Sequence, residues 1–365
     1  MAGIDAFLTM MAERGSSDLH LKAGAPPAVR TDGRLEILRD MPSVGVDEMT
    51  AMAREMLQPR NLADYEAGRD IDFAYSQPGG ERFRVNVFFQ RGTVSLTARR
   101  VSLLKFSFEQ LGLPPVVEQL ANETRGLVLV TGTAGSGKTT TLATMIDYIN
   151  RTRDGHIITI EDPIEVVHED ARCLIDQREI GIDTPDYADA LRHVVRQDPD
   201  IIFIGEMRDA ETVAAALTAA EIGNLVLSTL HTIDATETVN RIIDFYPPYQ
   251  QRQVRLMLAA TLRGIISMRL LPAIGGGLVP AVEALVMNGT IREYIIDPEQ
   301  TYKIRDIINE GGYYGMQSFD QSLISLYQAG RITLESAMAT AANTHDFRIK
   351  LREIGVIVPS ATLQH

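Results

Sequence analysis

Residues 126–141 read GLVLVTGTAGSGKTTT, and the order of those residues decides the fold. The Leu/Val run at 127–130 is strand-sized and reads as buried. It runs into a glycine-rich loop and then into a helical pattern over about 138–150. Gly132, Thr133, Ala134, Gly135, Ser136, Gly137, Lys138 and Thr139 fit G-x-x-x-x-G-K-[ST] between a strand and a helix, the context the motif requires. The glycines let the backbone wind tightly, so its N–H groups converge on phosphate oxygens, and the helix N-terminus adds a field that favours anions. Lys138 is placed to reach β- and γ-phosphates and Thr139 to ligate Mg²⁺. Thr140 ends the expected binding set. A chance glycine-rich turn is the bland alternative, and the flanking strand and helix argue against it.

Downstream, short apolar runs alternate with helical patterns. HIITI at 156–160, DIIFI at 200–204 and NLVLSTL at 224–230 read as strands, and 187–196 and 210–222 as helices. That alternation predicts a parallel sheet covered on both faces. VPAVEALVM follows the glycines at 275–277, and the chain is mainly helical from 290. Three strands end in chemistry, at the edge where open α/β sheets bind ligands. Glu161-Asp162-Pro163-Ile164-Glu165 follows the first, Gly205-Glu206-Met207-Arg208-Asp209 the second, and Thr229-Leu230-His231-Thr232 closes the third. A carboxylate beside a terminal phosphate can orient or deprotonate water, or hold Mg²⁺ through its waters. Glu206 and Glu161 are the candidates, with Glu206 also the candidate for water-mediated Mg²⁺ contact. His231 is the candidate phosphate sensor. Each alone would more often be a loop residue; together, on successive strand ends, they read as a site. Asp162 and Asp209 suit turn caps, and Arg208 suits an ion pair.

Upstream, 82–89 (RFRVNVFF) and 93–98 alternate like two paired strands turning at Gly92. Ile4, Phe7, Leu8 and Met11 fall at helical spacing in a short amphipathic helix. LGLPP at 111–115 breaks the pattern and reads as a domain edge. A length of 365 residues suits two or three domains. No stretch approaches the roughly 18 apolar residues of a membrane span. The N-terminus has neither a basic start nor an uninterrupted apolar stretch, so no signal peptide is expected and the cytoplasm is the default. Cys173, the sole cysteine, excludes an internal disulfide and a thiolate metal site. A net charge of −13 counts against nucleic acid as a partner.

Together these segments resemble the type II/type IV secretion ATPase superfamily, and most of all the ATPases that retract type IV pili in twitching motility. The likeness is carried by GSSDLHLKAGAPPAVRTDG, RFRVNVFFQRG, GTAGSGKTT, ITIEDPIE, RQDPDIIFIGEMRD, STLHT and GMQSFDQSL, and spans about 15–355. GHIITIEDPIEVVH, QREIGIDT and NTHDFRIKL lean toward the PilU-like branch. The phosphate loop has TA where the family usually has PTG-type residues, but Gly132, Gly137, Lys138 and Thr139 are intact. Pilus extension ATPases carry a four-cysteine zinc module, which one cysteine excludes.

The resemblance implies an α/β protein: a PAS-like α+β domain over 1–105, a linker over 106–120, a RecA-like ATPase core over 121–289 and a helical region over 290–365. It implies ATP and Mg²⁺ as ligands and a homo-hexameric cytoplasmic motor, peripheral at the inner-membrane base of the pilus. Partners would be an inner-membrane platform protein and, in some rings, a paralogous retraction ATPase. Arg84 and Arg99 match family arginines that reach the nucleotide, where guanidinium groups offset charge on the transferring phosphoryl. An accessory nucleotide-binding partner of a paralogous motor, or a type IV secretion or DNA-transfer ATPase, is the rival expectation.

Overall fold

The structure is a computed structural model that describes residues 3–31, 33–78, 81–101 and 106–356. These fall into two units, 3–101 with 165–167, and 106–356 without them. The expected boundary at 105 lies outside the described residues.

The first unit is an antiparallel sheet packed against helices Ile4–Glu13, Val46–Met56 and Pro59–Glu66. Its strands are β1 (Asp18–Lys22), β2 (Ala28–Thr31), β3 (Arg34–Ile37), β4 (Ile71–Ser76), β5 (Arg82–Gln90) and β6 (Thr93–Arg100), in the order β3-β2-β1-β6-β5-β4. Strand alternation makes the core: Phe83, Val85 and Val87 of β5 and Leu96 and Ala98 of β6 bury against Ile4, Leu8 and Met11. The N-terminal helix thus buries the stripe its spacing predicts. The β5–β6 hairpin turns through Arg91 at φ 50° and Gly92 at φ 76°, the two left-handed residues that a tight twisted hairpin needs.

The second unit is a seven-stranded sheet of β7 (Gly126–Thr131), β8 (Gly155–Glu161), β9 (Cys173–Glu179), β10 (Ile201–Ile204), β11 (Leu225–Leu230), β12 (Leu262–Pro272) and β13 (Leu278–Val286). The order is β13-β12-β7-β11-β10-β8-β9, with only β13 antiparallel to its neighbour. Alternate residues serve opposite faces. Leu127, Leu129, Ile158, Ile160, Ile202 and Ile204 pack toward helices Tyr187–Val194, Ala210–Ile222 and Ala235–Asp244. Val128, Val130, Ile157, Ile201 and Phe203 pack toward helices Pro115–Ala121 and Lys138–Thr152. Such two-sided burial, about 1.5–3 kcal/mol per large aliphatic side chain, is why these strands read as unbroken apolar runs.

The span 106–120 is not a free linker. Helices Phe108–Leu111 and Pro115–Ala121 occupy it, and Val116, Val117 and Leu120 are buried against Leu142, Met145 and Ile146. The glycine and prolines of LGLPP end one helix and start the next: Gly112 closes the first at φ 68°, and Pro115 opens the second. The helical C-terminal part holds through 353, and Leu323, Phe347 and Leu351 pack on Leu271, Val279 and Ala281.

Candidate functional site

The loop after β7 is shaped by backbone conformations that side chains disfavour. Gly132, Gly135 and Gly137 have φ of 144°, 76° and 98°. A Cβ on Gly132 would lie 2.4 Å from Ser136 Oγ and 2.6 Å from the Met268 carbonyl oxygen, so only glycine fits. Gly137 starts the helix Lys138–Thr152 and no side chain caps it, which leaves first-turn N–H groups for a ligand. Ser136 Oγ is buried without a hydrogen-bond partner, a polar atom in want of one. Beneath the loop, buried Thr131 and Ser267 hydroxyls bond at 2.9 Å and tie β7 to β12.

Lys138 is buried, and its Nζ donates to the carbonyls of Gly132 at 2.8 Å and Thr133 at 3.0 Å. The same Nζ lies 3.5 Å from His231 Nδ1. Lysine is only a donor, so Nδ1 accepts and the ring carries its proton on Nε2. That nitrogen lies 3.3 Å from Glu206 Oε1, and the other Glu206 oxygen accepts from Arg208 Nε at 2.8 Å. Lysine, histidine, glutamate and arginine therefore form one polar chain across the carboxyl ends of β7, β11 and β10. The hydrogen bond that Arg208 donates to Glu206 is the main reason its guanidinium is held more firmly charged than usual.

Glu161 ends β8, one strand further from the loop, and is 7% exposed. Its Oε1 accepts from Thr159 Oγ1 at 2.7 Å and from Gln177 Nε2 at 3.2 Å. Gln177 Oε1, the side-chain amide oxygen, accepts from the His168 N–H at 2.8 Å. Gln177 is absent from the sequence-based site because CLIDQRE, at 173–179, carries too many charges to read as the edge strand it is. Tyr187 was missed for another reason, as a helix-start residue with no motif. Its hydroxyl would lie 3.0 Å from a Cβ on Gly205, so that glycine marks a close approach. Burial, and then Asp162, raise the Tyr187 phenol and keep it protonated.

Arg84 and Arg99 lie in the first unit, directly opposite each other on β5 and β6. Arg99 Nε donates to Asp18 Oδ1 at 2.6 Å. Burial would raise the Asp18 carboxyl, but the Ser17 and Arg99 donors outweigh it and hold it below the usual range. Cys173 is buried and burial raises its thiol, which fits an inert core residue.

The donors near the loop also fit Mg²⁺. Thr139 supplies a hydroxyl at the helix start and Glu206 a carboxylate. Among the described residues no group of three His, Cys, Asp or Glu side chains could hold a metal. A hard cation that keeps its waters and shares phosphate oxygens needs few protein ligands.

A family profile described as Type II/IV secretion system protein matches residues 80–296. The chain belongs to this family. Within the type II/IV secretion system proteins it is 42% identical over 344 residues to the type IV pilus retraction ATPase PilT of Pseudomonas aeruginosa, across 94% of this chain and 99% of that one. It is 36% identical to the type IV pilus ATPase PilU of the same organism, across 95% of this chain and 91% of that one. Overall identity is thus higher to PilT than to PilU, against the leaning read from three segments of the sequence. A crystal structure of the pilus retraction motor PilT with bound ADP superposes with a TM-score of 0.87 at 45% identity, covering 95% of this chain and 99% of that one. The family profile takes in the phosphate loop, both glutamates, His231, Arg84 and Arg99.

Proposed function

We propose that this chain is an ATP-hydrolysing motor that powers retraction of type IV pili. The observation that carries this reading is the chain Lys138–His231–Glu206 running from the phosphate loop across adjacent strand ends. The near-full-length likeness to a retraction ATPase supplies the process.

In this reading the loop amides and Lys138 take the phosphates of ATP, and Lys138 exchanges its bonds to the Gly132 and Thr133 carbonyls for phosphate oxygens. Thr139, and Glu206 through water, would hold Mg²⁺, which when bound neutralises charge on the β- and γ-oxygens. Glu206 and Glu161 orient and deprotonate the attacking water. His231, with one nitrogen toward Lys138 and the other toward Glu206, changes partners when the terminal phosphate leaves. Arg84 and Arg99 approach the phosphates as the first unit closes, and six chains form the ring. The ring works in the cytoplasm at the inner-membrane base of the pilus, against a platform protein. Two conformations of different ATP affinity would convert hydrolysis into motion.

The test is ATP turnover by the purified full-length chain beside Lys138→Ala, together with twitching of a deletion strain complemented by each. Turnover and twitching with wild type only are expected. Turnover no greater than that of Lys138→Ala would point to the accessory-partner reading instead.

A further inference from the structure

Glu283 is a carboxylate that the mechanism above does not use. It sits on β13 between Val282 and Ala284, which are 1% and 0% exposed, and is itself 5% exposed. A buried carboxylate is costly, and natural cores keep one where it has work to do. Its Oε1 accepts the Ala235 N–H at 2.9 Å. Ala235 is the first residue of helix Ala235–Asp244, whose N-cap is Asp234 through a bond to the Glu237 N–H. The loop 231–234 is also tied to that helix by the Thr232 and Thr238 hydroxyls at 2.6 Å and by the Ile233 N–H, which donates to Glu237 Oε2 at 3.0 Å; Glu283 is the tie that comes from the sheet. The loop leaves β11 at Leu230 and re-enters structure at a helix start clamped from the sheet by Glu283. His231 lies between them.

We infer that Glu283 is a positioning residue for the nucleotide site: through the Ala235 N–H it fixes the loop that holds His231 between Lys138 and Glu206. The inference rests on the reading of His231 as part of that site. Around Glu283 lies a cavity of about 360 Å³, lined by Asp234, Arg269 of β12, Arg305 of helix Ile304–Glu310, Asp320, Asp346 and Lys350. Burial, helped by Asp234, pushes the carboxyl up to about 7, and outweighs the Ala235 N–H, Arg305 and Arg269, which favour the ionised form. The neutral form keeps a carbonyl acceptor, so the clamp holds in either charge state.

Three full-length variants test this. Glu283→Gln keeps an acceptor. Glu283→Met removes it at similar volume. Ala235→Pro removes the donor instead, at the first helical position, where proline is tolerated, and after Asp234 at φ −152° and ψ 171°, which a following proline accepts. Hydrogen exchange over 231–235 reads the clamp whether or not the chain turns over ATP. It should quicken at least tenfold in Glu283→Met and Ala235→Pro and stay near wild type in Glu283→Gln. Turnover should fall at least tenfold in the first two with the Kd for a fluorescent ATP analogue within about twofold, and should fall no further when either is combined with His231→Ala. Unchanged exchange in both clamp-breaking variants, unchanged turnover, or losses that multiply with His231→Ala would overturn the inference. Should Glu283→Met not fold, Ala235→Pro carries the test. If wild type itself shows no turnover above Lys138→Ala, the proposed function fails, and exchange alone decides whether Glu283 positions the loop.

Discussion

Gly132 shows how little freedom the phosphate loop has. Its φ of 144° and the 2.4 Å approach to Ser136 Oγ leave no room for a methyl group. Gly132→Ala should weaken nucleotide binding at least tenfold, about 1.4 kcal/mol, in titrations with a fluorescent ATP analogue; wild-type affinity would show that the loop can relax. Lys138→Ala should lower turnover roughly a hundredfold or more, as loss of a preorganised charge does. Glu206→Ala should bind ATP with near-normal affinity and stall. Normal turnover would remove Glu206 from the chemistry. The glycines, Lys138 and Thr139 were legible in the sequence because the motif is local, with eight consecutive residues dictating one conformation. Gln177 was not, since its tie to Glu161 spans sixteen positions and exists only once β9 lies beside β8.

At the scale of elements, β13 carries a charge inside a strand that otherwise buries only apolar groups. The Glu283 carboxyl, pushed from 4.5 to about 7 by burial, binds its proton more tightly folded than unfolded. Its effect on stability is nil below the unfolded value, grows unfavourable through pH 4.5–7, and is complete above about 7. Glu283→Gln should therefore stabilise the chain by up to about 3 kcal/mol at pH 8, and the gain should shrink toward pH 4.5 in thermal melts. A Tm difference independent of pH would refute the raised value. Elements themselves were legible where both faces are buried, as in β7, β10 and β11. β12 was hidden because helix Pro248–Thr261 runs straight into it at Leu262 with no breaker between. The span 106–120 reads as a linker in sequence because the same glycine and prolines that mark a loop also mark a helix stop and start.

For the whole molecule, the sequence resolves two units but not their joint action. Arg84 and Arg99 illustrate this: their strands and pairing followed from alternation, whereas their role follows only from likeness. Arg84→Ala and Arg99→Ala should each slow hydrolysis about tenfold or more while melting of the second unit stays unchanged; if neither alters the rate, the first unit does not complete the site. Sedimentation should find a six-chain species with nucleotide, and monomer alone would remove the ring. The parallel ladder sets one further consequence. The phosphate loop, His231, Glu206 and Glu161 hang from four neighbouring strands, β7, β11, β10 and β8, about 4.8 Å apart. The sheet thus acts as a ruler, and Glu161 stands one graduation beyond Glu206. Deleting a single residue within β10 would pull Glu206 back by about 3.3 Å and swap the faces of every side chain before it. Length conserved between breakpoints, more than any one side chain, is then what an engineer of this scaffold must preserve.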